Sequence, residues 1–339
     1  MRARRQRPLR LLRSFFPTSW QMRRRYRLPS EEAGQPYYIY YPSGLVPDRP
    51  WPELTFDAQG VAVTAEGYNP VTIAQYALYS HERVTRRADA SRDAFLAQVR
   101  YLVERQRSDG SYEYDFAFPE YGVEPGFICA MAQGTAASAL VRAFVLTGDR
   151  RYRDAAASAA EPLKKDVSRG GASFIRNGYV FFEEVASPNP CHILNGHLFA
   201  SFGIYDLNRF GLMDAELRSL YERSAETLLR WLPFYEDRGW SYYQLAVRGE
   251  NVRHLAHISY HQLHVAQLYV YAAMTGKPEF RAIARRWEGA LRDPSTRARV
   301  WLDSARWLGE IAMERAGFGR RGPWRPIDGL VPDGRVANA

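Results

Sequence analysis

The sequence predicts a mainly α protein whose helical hairpins form an incomplete α/α toroid, with a short irregular and β-containing arm at the N-terminus. Three observations carry that expectation. From Pro70 onward, apolar residues recur at helical spacing between Gly, Pro and Asp signals. Two junctions look alike: Leu146-Thr147-Gly148-Asp149 leads to Tyr152 and Ala155, and Met274-Thr275-Gly276-Lys277 leads to Phe280 and Ile283. In each, an apolar helix ends at glycine and a second begins with an aromatic residue and small or apolar partners, as in a repeated hairpin. Third, a 46% hydrophobic share of 339 residues suffices for one large core or two modest ones. A closed ring of inner and outer helices and a superhelical solenoid both suit about 250 residues of such hairpins.

Taken in order, residues 1–27 hold ten arginines and no acid. Removing those ten charges from the net +9 leaves the remainder one unit negative, so the basicity belongs to this tail. Leu9, Phe15, Phe16 and Trp20 interrupt the arginines. Such a tail can lie on an anionic membrane, contact a polyanion or extend as solvated chain. No apolar run of signal-peptide length follows it. The longest stretch without Asp, Glu, Lys or Arg, Ala186 to Tyr205, holds Asn189, His192, Asn195 and His197, so no membrane span is expected. A cytoplasmic protein is the simplest inference. Cys129 and Cys191 fit free thiols in a reducing compartment, with a single bridge as the alternative. With basicity confined to the tail, no specific nucleic-acid partner is expected; a homodimer is left open.

Residues 28–68 are rich in Pro, Tyr and Gly and read as an arm with β-like patches at 37–41 and 60–64 and one hairpin. Helices are expected near 70–85, 91–107, 127–147, 150–162, 191–209, 214–231, 254–275, 278–292 and 297–316. Residues 69–316 then make the toroid and 317–339 a C-terminal extension. Strand-like or loop segments lie between helices at 110–126, 168–188 and 236–252. In a toroid these connections border one mouth of the ring, where binding and catalytic side chains gather.

Two clusters carry candidate chemistry. In Phe181-Phe182-Glu183-Glu184 the adjacent carboxylates point to opposite sides if extended, so one faces a cleft while the other meets solvent or a cation. Beside aromatic rings a carboxyl group is partly desolvated and its pKa rises, which suits a general base near neutrality. The competing reading is a plain surface strand end. The second cluster places His254, His257, Tyr260, His261 and His264 within eleven residues. On one helix His257, Tyr260, His261 and His264 share a face. That face is a proton-handling wall of a cleft or a set of satisfied core histidines. A zinc site is disfavoured, since His-Glu-x-x-His is absent and no Cys or Asp accompanies the histidines. No Walker, dinucleotide or nucleophile-elbow pattern occurs, and no metal or cofactor is expected. The small residues of Ala130-Met131-Ala132-Gln133-Gly134 read as close helix packing. Twenty-two tyrosines and eight tryptophans exceed what a core needs and suit a wet groove.

These residues resemble the D-glucuronyl C5-epimerase family, in particular its C-terminal catalytic domain, whose members convert glucuronic to iduronic acid within heparosan-type chains. The matching blocks are Asn69-Pro70-Val71-Thr72-Ile73-Ala74-Gln75-Tyr76, Glu124-Pro125-Gly126 through Gly134, and Leu140-Val141-Arg142-Ala143. They continue with Glu183-Glu184, Leu194-Asn195-Gly196, Gly203-Ile204-Tyr205-Asp206-Leu207, Tyr260-His261-x-x-His264-x-x-Gln267-Leu268 and Arg286-Trp287. The resemblance implies a helical toroid whose cleft holds a uronate of an anionic polysaccharide. It implies catalytic roles for Glu184 and Tyr260 and for Tyr242 or Tyr243, the spacing leaving one residue of ambiguity. It implies substrate contacts from His257, His261, His264, Asn195, Arg253, Gln133 and Tyr76. The family has a tyrosine directly after its Glu-Glu pair where this chain has Val185, and the Asp-Leu-Arg-His after its other tyrosine is not kept. The β-rich domain and luminal anchor of eukaryotic members are missing, as expected of a minimal, microbial relative. A uronate lyase shares the same C5 carbanion, a glycoside hydrolase needs two carboxylates on such a toroid, and a catalytically silent glycan-binding scaffold is the non-enzymatic alternative.

Overall fold

Helix signals in the sequence translate directly into the chain's hairpins. The computed structural model describes residues 26–39, 54–86, 90–248, 253–315, 324–327 and 329–330. Among them run α1 (Pro70–Thr85), α2 (Ala90–Arg105), α3 (Ala130–Thr147), α4 (Arg150–Ser158), α5 (Leu194–Arg209) and α6 (Ala215–Trp231). They are followed by α7 (Ile258–Thr275), α8 (Pro278–Ala290) and α9 (Pro294–Arg315). Asn69 starts α1 by accepting from the Thr72 N–H, with Pro70 at the first helical position, and Asp214 starts α6 by accepting from the Leu217 N–H. The two look-alike junctions end α3 and α7 at Gly148 and Gly276, both left-handed at φ 73° and 69°.

The hairpin partners α1 with α2, α3 with α4, and α7 with α8 pack on each other, and the first helix of each hairpin forms an inner layer in chain order, α1, α3, α5, α7. This is an incomplete α/α toroid. Inner α3 is enclosed on all sides, every residue from Ala130 to Ala143 being buried, whereas outer α6 buries one stripe of Leu217, Leu220, Leu228 and Trp231. Between α3 and α5 the backbones touch. A Cβ on Gly134 would stand 2.5 Å from Ala200 Cα, and one on Gly203 2.2 Å from the Gly134 carbonyl oxygen. The arm bridges the two ends of the inner layer: Tyr26 stacks on Tyr269 of α7, and Arg27 pairs with Glu82 of α1 at 2.8 Å. It is anchored through Tyr38, whose hydroxyl donates to Asp206, the buried partner of Arg142 at 2.7 Å.

Short strands fill the connections. β1 (Thr55–Phe56) and β2 (Ala62–Val63) pair Thr55 to Val63, so of the two expected β-like patches only 60–64 enters this hairpin, while Ile39 of 37–41 bridges Tyr26. β3 (Ser173–Arg176) and β4 (Tyr179–Phe182) form a second, paired Ser173 to Phe182. β5 (Glu236–Asp237) pairs β6 (Trp240–Ser241), and β7 (Ala246–Val247) pairs β8 (Arg325–Pro326). Helix α9 is tied by Arg299 to Asp237, by His254 to Glu310 at 3.0 Å, and by the Leu255 N–H to Asp303 at 2.9 Å.

Three expectations need correction. The helix over 254–275 starts at Ile258, because His257 caps it by accepting from the Ser259 N–H and residues before it are extended, Leu255 bridging Tyr242. The helix over 150–162 ends at Ser158, and residues 161–164 form a separate tight turn beginning Glu161-Pro162. Arg27 belongs to the packed arm; the tail proper, residues 1–25, lies outside the described residues, as does most of 317–339. Both cysteines are free and buried. No helix among the described residues is long and apolar enough to cross a membrane.

Candidate active site

The chain runs straight from β4 into Glu183 and Glu184, and the alternation of an extended strand sends the two carboxylates apart. Glu183 turns inward, 1% exposed, and meets His192. Glu184 turns toward the convergence of the three connections. There Asn195 Nδ2 donates to its Oε2 at 2.9 Å, the Tyr243 hydroxyl donates to Oε1 at 3.4 Å, and the Gly196 N–H at the start of α5 donates as well. Gly196 is indispensable for the approach: a Cβ there would stand 2.5 Å from Glu184 Oε2. Burial pushes the Glu184 carboxyl up to about 7, against the donors from Tyr243, Asn195 and Gly196.

Tyrosines surround that carboxyl group. The rings of Tyr243 and Tyr260 meet edge to face at 4.8 Å. Burial first, and then the Glu184 charge, raises the hydroxyls of Tyr121, Tyr243 and Tyr260 above the ordinary tyrosine value. They are therefore neutral proton donors at neutral pH. Of the neighbouring pair, Tyr243 reaches Glu184, while Tyr242 turns away and lies under the Arg253 guanidinium, 3.8 Å from ring centroid to Cζ. Beside the tyrosines opens a cavity of about 350 Å³, walled by Tyr121, Tyr243, Tyr260, Arg253, Trp307 and Trp324. Glu184 is not among the residues walling it; half-buried, it adjoins that wall through the Tyr243 hydroxyl. Three side-chain donors on the cavity's wall, Arg253 Nε, Gln244 Nε2 and Trp324 Nε1, have no hydrogen-bond partner among the described residues. At the rim, burial opposes protonation of His254, but Asp303 and Glu310 outweigh it and raise its pKa.

The other sequence candidates divide sharply. Asn195, Tyr243 and Tyr260 assemble with Glu184, and His257 and Arg253 line the cavity. The histidine face does not form as a unit. His257 precedes the helix; His261 stacks on Trp240 at 3.8 Å and reaches the Trp287 carbonyl, and His264 meets Ser241 Oγ at 2.9 Å. His261 and His264 are fully buried, and burial lowers the pKa of both, His261 to about 3, so they are neutral core groups out of a ligand's reach. Gln133 spends its amide on Tyr112 N–H, Gly110 carbonyl and Ala159 carbonyl, a packing role inside the ring. Tyr76 sets its ring at a tilt against Phe56 of β1 and does not line the cavity. Tyr121, Gln244, Trp307 and Trp324 escaped the sequence reading; only Tyr121 and Gln244 carried a signal, from their place in the flagged connections. Among the described residues no group of three or more His, Cys, Asp and Glu side chains could hold a metal ion.

With this arrangement in view, the family described as D-glucuronyl C5-epimerase C-terminus matches residues 105–289, more than half of the chain. The chain belongs to that family. It is 30% identical over 224 residues to a D-glucuronyl C5-epimerase of Caenorhabditis elegans, covering 61% of this chain and 36% of that protein. It is 32% identical over 181 residues to an uncharacterized protein of Methanocaldococcus jannaschii, covering 52% of this chain and 56% of that one. The chain thus spans little more than a third to little more than half the length of these curated relatives. A solved structure of a UGL variant with dGlcA-Glc-Rha-Glc resembles it with a TM-score of 0.45 at 16% identity, over 64% of this chain and 60% of that one. Glu184, Gly196, Tyr243 and Tyr260 all fall inside the family match.

Proposed function

We propose that this family member is a polysaccharide uronate C5-epimerase, converting D-glucuronate to L-iduronate residues within a heparosan-like chain. The C5–H of a uronate lies α to its carboxylate. A base on one face removes the proton, the electron pair passes into the carboxylate as an ene-diolate, and a donor on the opposite face returns a proton to C5. Glu184 takes the first proton once substrate displaces the Tyr243 hydroxyl from it, and Tyr260 supplies the second, Tyr243 staying on the side of the base; exchange with solvent resets both groups. The observation that carries this reading is a carboxyl group lifted to about 7 in hydrogen-bond contact with a neutral tyrosine. Half of such groups are ionised at neutrality, and a base of that pKa is stronger than an ordinary glutamate. Arg253 and the unpartnered donors of Gln244 and Trp324 suit the acceptor-rich surface of an anionic glycan, and Trp307 and Trp324 suit its sugar faces. The catalytic unit in this reading is residues 69–316, acting without metal or organic cofactor.

The test is NMR of the protein in D₂O with heparosan, N-sulfated heparosan and other uronate polymers. Deuterium entering at C5 together with iduronate signals, both lost in Glu184→Gln, is the expected result. A 4,5-unsaturated product instead would assign a lyase, and binding with no exchange on any polymer would assign a glycan-binding scaffold.

A further inference from the structure

Glu183 and His192 sit outside the reacting cluster, yet they bracket it. The His192 N–H donates to Glu183 Oε2 at 3.1 Å, and His192 Nδ1 lies 2.5 Å from Oε1. Glu183 is itself immobilised through both peptide groups, its N–H on the Ala172 carbonyl at 2.8 Å and its carbonyl accepting from Ala130 at 2.9 Å. His192 is 1% exposed, enclosed by the rings of Phe174, Phe181 and Trp231, and its carbonyl accepts from the Tyr235 hydroxyl. Its backbone is left-handed at φ 51°, a conformation a non-glycine residue keeps only when its surroundings over-determine it. Two residues later the chain enters α5, whose first turn presents Asn195 and Gly196 to Glu184. Two consecutive carboxylates therefore hold one turn at two points: Glu183 grips residue 192, and residues 195 and 196 grip Glu184.

We propose that Glu183 and His192 form a positioning pair that staples the start of α5 to the end of β4 and thereby sets the placement and ionisation of Glu184. The role of Glu184 as base rests on the function proposed above; the staple does not. Neither residue touches the cavity. Around the pair stand His197, Tyr235 and Cys191; around Glu184 stand Tyr114, Tyr121, Tyr243, Tyr260 and Cys129. Among these only Glu183 brings a second carboxylate toward Glu184, and its charge adds to the upward push.

The test follows the Glu184 carboxyl by ¹³C NMR titration in full-length protein, alongside C5–H exchange kinetics. Glu183→Gln keeps an acceptor for the His192 N–H and removes the charge, so the Glu184 midpoint falls below that of the wild type. His192→Ala frees the turn; Asn195 and Gly196 slip, the midpoint rises, and kcat drops on the order of tenfold or more with KM little changed. His192→Asn, which tolerates the left-handed backbone and retains a short side-chain donor, restores both. If His192→Ala does not fold, Glu183→Gln and His192→Asn still report the midpoint. An unshifted Glu184 titration in folded Glu183→Gln and His192→Ala would overturn the proposal. Absence of C5 exchange in the wild type defeats the epimerase reading alone and leaves the titration to judge the staple.

Discussion

Replacing Gly196 by alanine isolates the geometry of the base. The added Cβ would stand 2.4 Å from Glu184 Cβ, 2.8 Å from Cγ and 2.5 Å from Oε2. Carbon atoms rest about 3.5–4.0 Å apart, so Glu184 and the first turn of α5 must separate by roughly 1 Å. That shift pulls the carboxylate from its 2.9 Å bond with Asn195 and from the Gly196 N–H. A misplacement of about 1 Å costs on the order of 100-fold in rate, while the overpacking itself costs about 1–3 kcal/mol of stability. Gly196→Ala is therefore expected to fold, to melt a few degrees lower, and to lose at least about 100-fold in C5 deuterium exchange. Gly289→Ala, whose Cβ meets nothing within 4 Å, is the matched control and keeps wild-type exchange. A folded Gly196→Ala protein exchanging at the wild-type rate would refute the assignment of Glu184 as base.

Glu184 must be ionised to accept a proton, so the exchange rate is expected to climb with pH through about 7; a flat profile between pH 5 and 8 contradicts this. The same group limits stability. Its folded pKa lies above its ordinary 4.5, so the folded state favours the protonated form and loses stability as pH rises through that window. Glu184→Gln should accordingly melt above the wild type at pH 8 and lose that advantage near pH 5, as read by calorimetry. Tyr260→Phe, lacking the opposite-face donor, should keep C5 exchange on glucuronate but lose iduronate formation by about 100-fold or more in the NMR assay; unchanged product ratios would remove Tyr260 from the mechanism. Arg142→Met leaves Asp206 buried beside Tyr38 without its cation and should cost about 3–5 kcal/mol in urea unfolding, with exchange per folded molecule unaltered.

The hairpins were readable from the chain because their signals are local. Asn69-Pro70, the glycines at 148 and 276, and the 3.6-residue spacing each act within a turn or two. The divergence of Glu183 and Glu184 was readable for the same reason, since adjacent side chains of an extended segment point apart, but not that Glu183 would be buried on His192 and Glu184 held by Asn195 and Tyr243. What failed was inference across contacts. His261 and His264 have the right period for one face, but whether that face meets water or Trp240 and Ser241 depends on a strand some twenty residues upstream. His257 looked helical by spacing and proved to be the cap. Gln133 sits in a motif of the family resemblance, yet its bonds to residues 110, 112 and 159 give it a scaffold role that no local pattern reveals. Trp307 and Trp324 reach the cavity only through the docking of α9 and the pairing of β8 with β7.

The bare contact of α3 with α5 at Gly134 and Gly203 leaves those two helices no room to slide, and α5 is the helix whose first turn presents the donors to Glu184. Helix α9, on the far wall of the cavity, is fastened mainly by side chains, Arg299 to Asp237 and His254 to Asp303 and Glu310. The cleft thus has an anvil and a jaw. The anvil is machined into the core, so the base proposed at Glu184 keeps one geometry, whereas the jaw can be recut one side chain at a time without disturbing the fold. Under the proposed function, substitutions that retune which glycan is gripped belong on α9 and around Trp324, and substitutions that alter what is done to it belong on the first turn of α5.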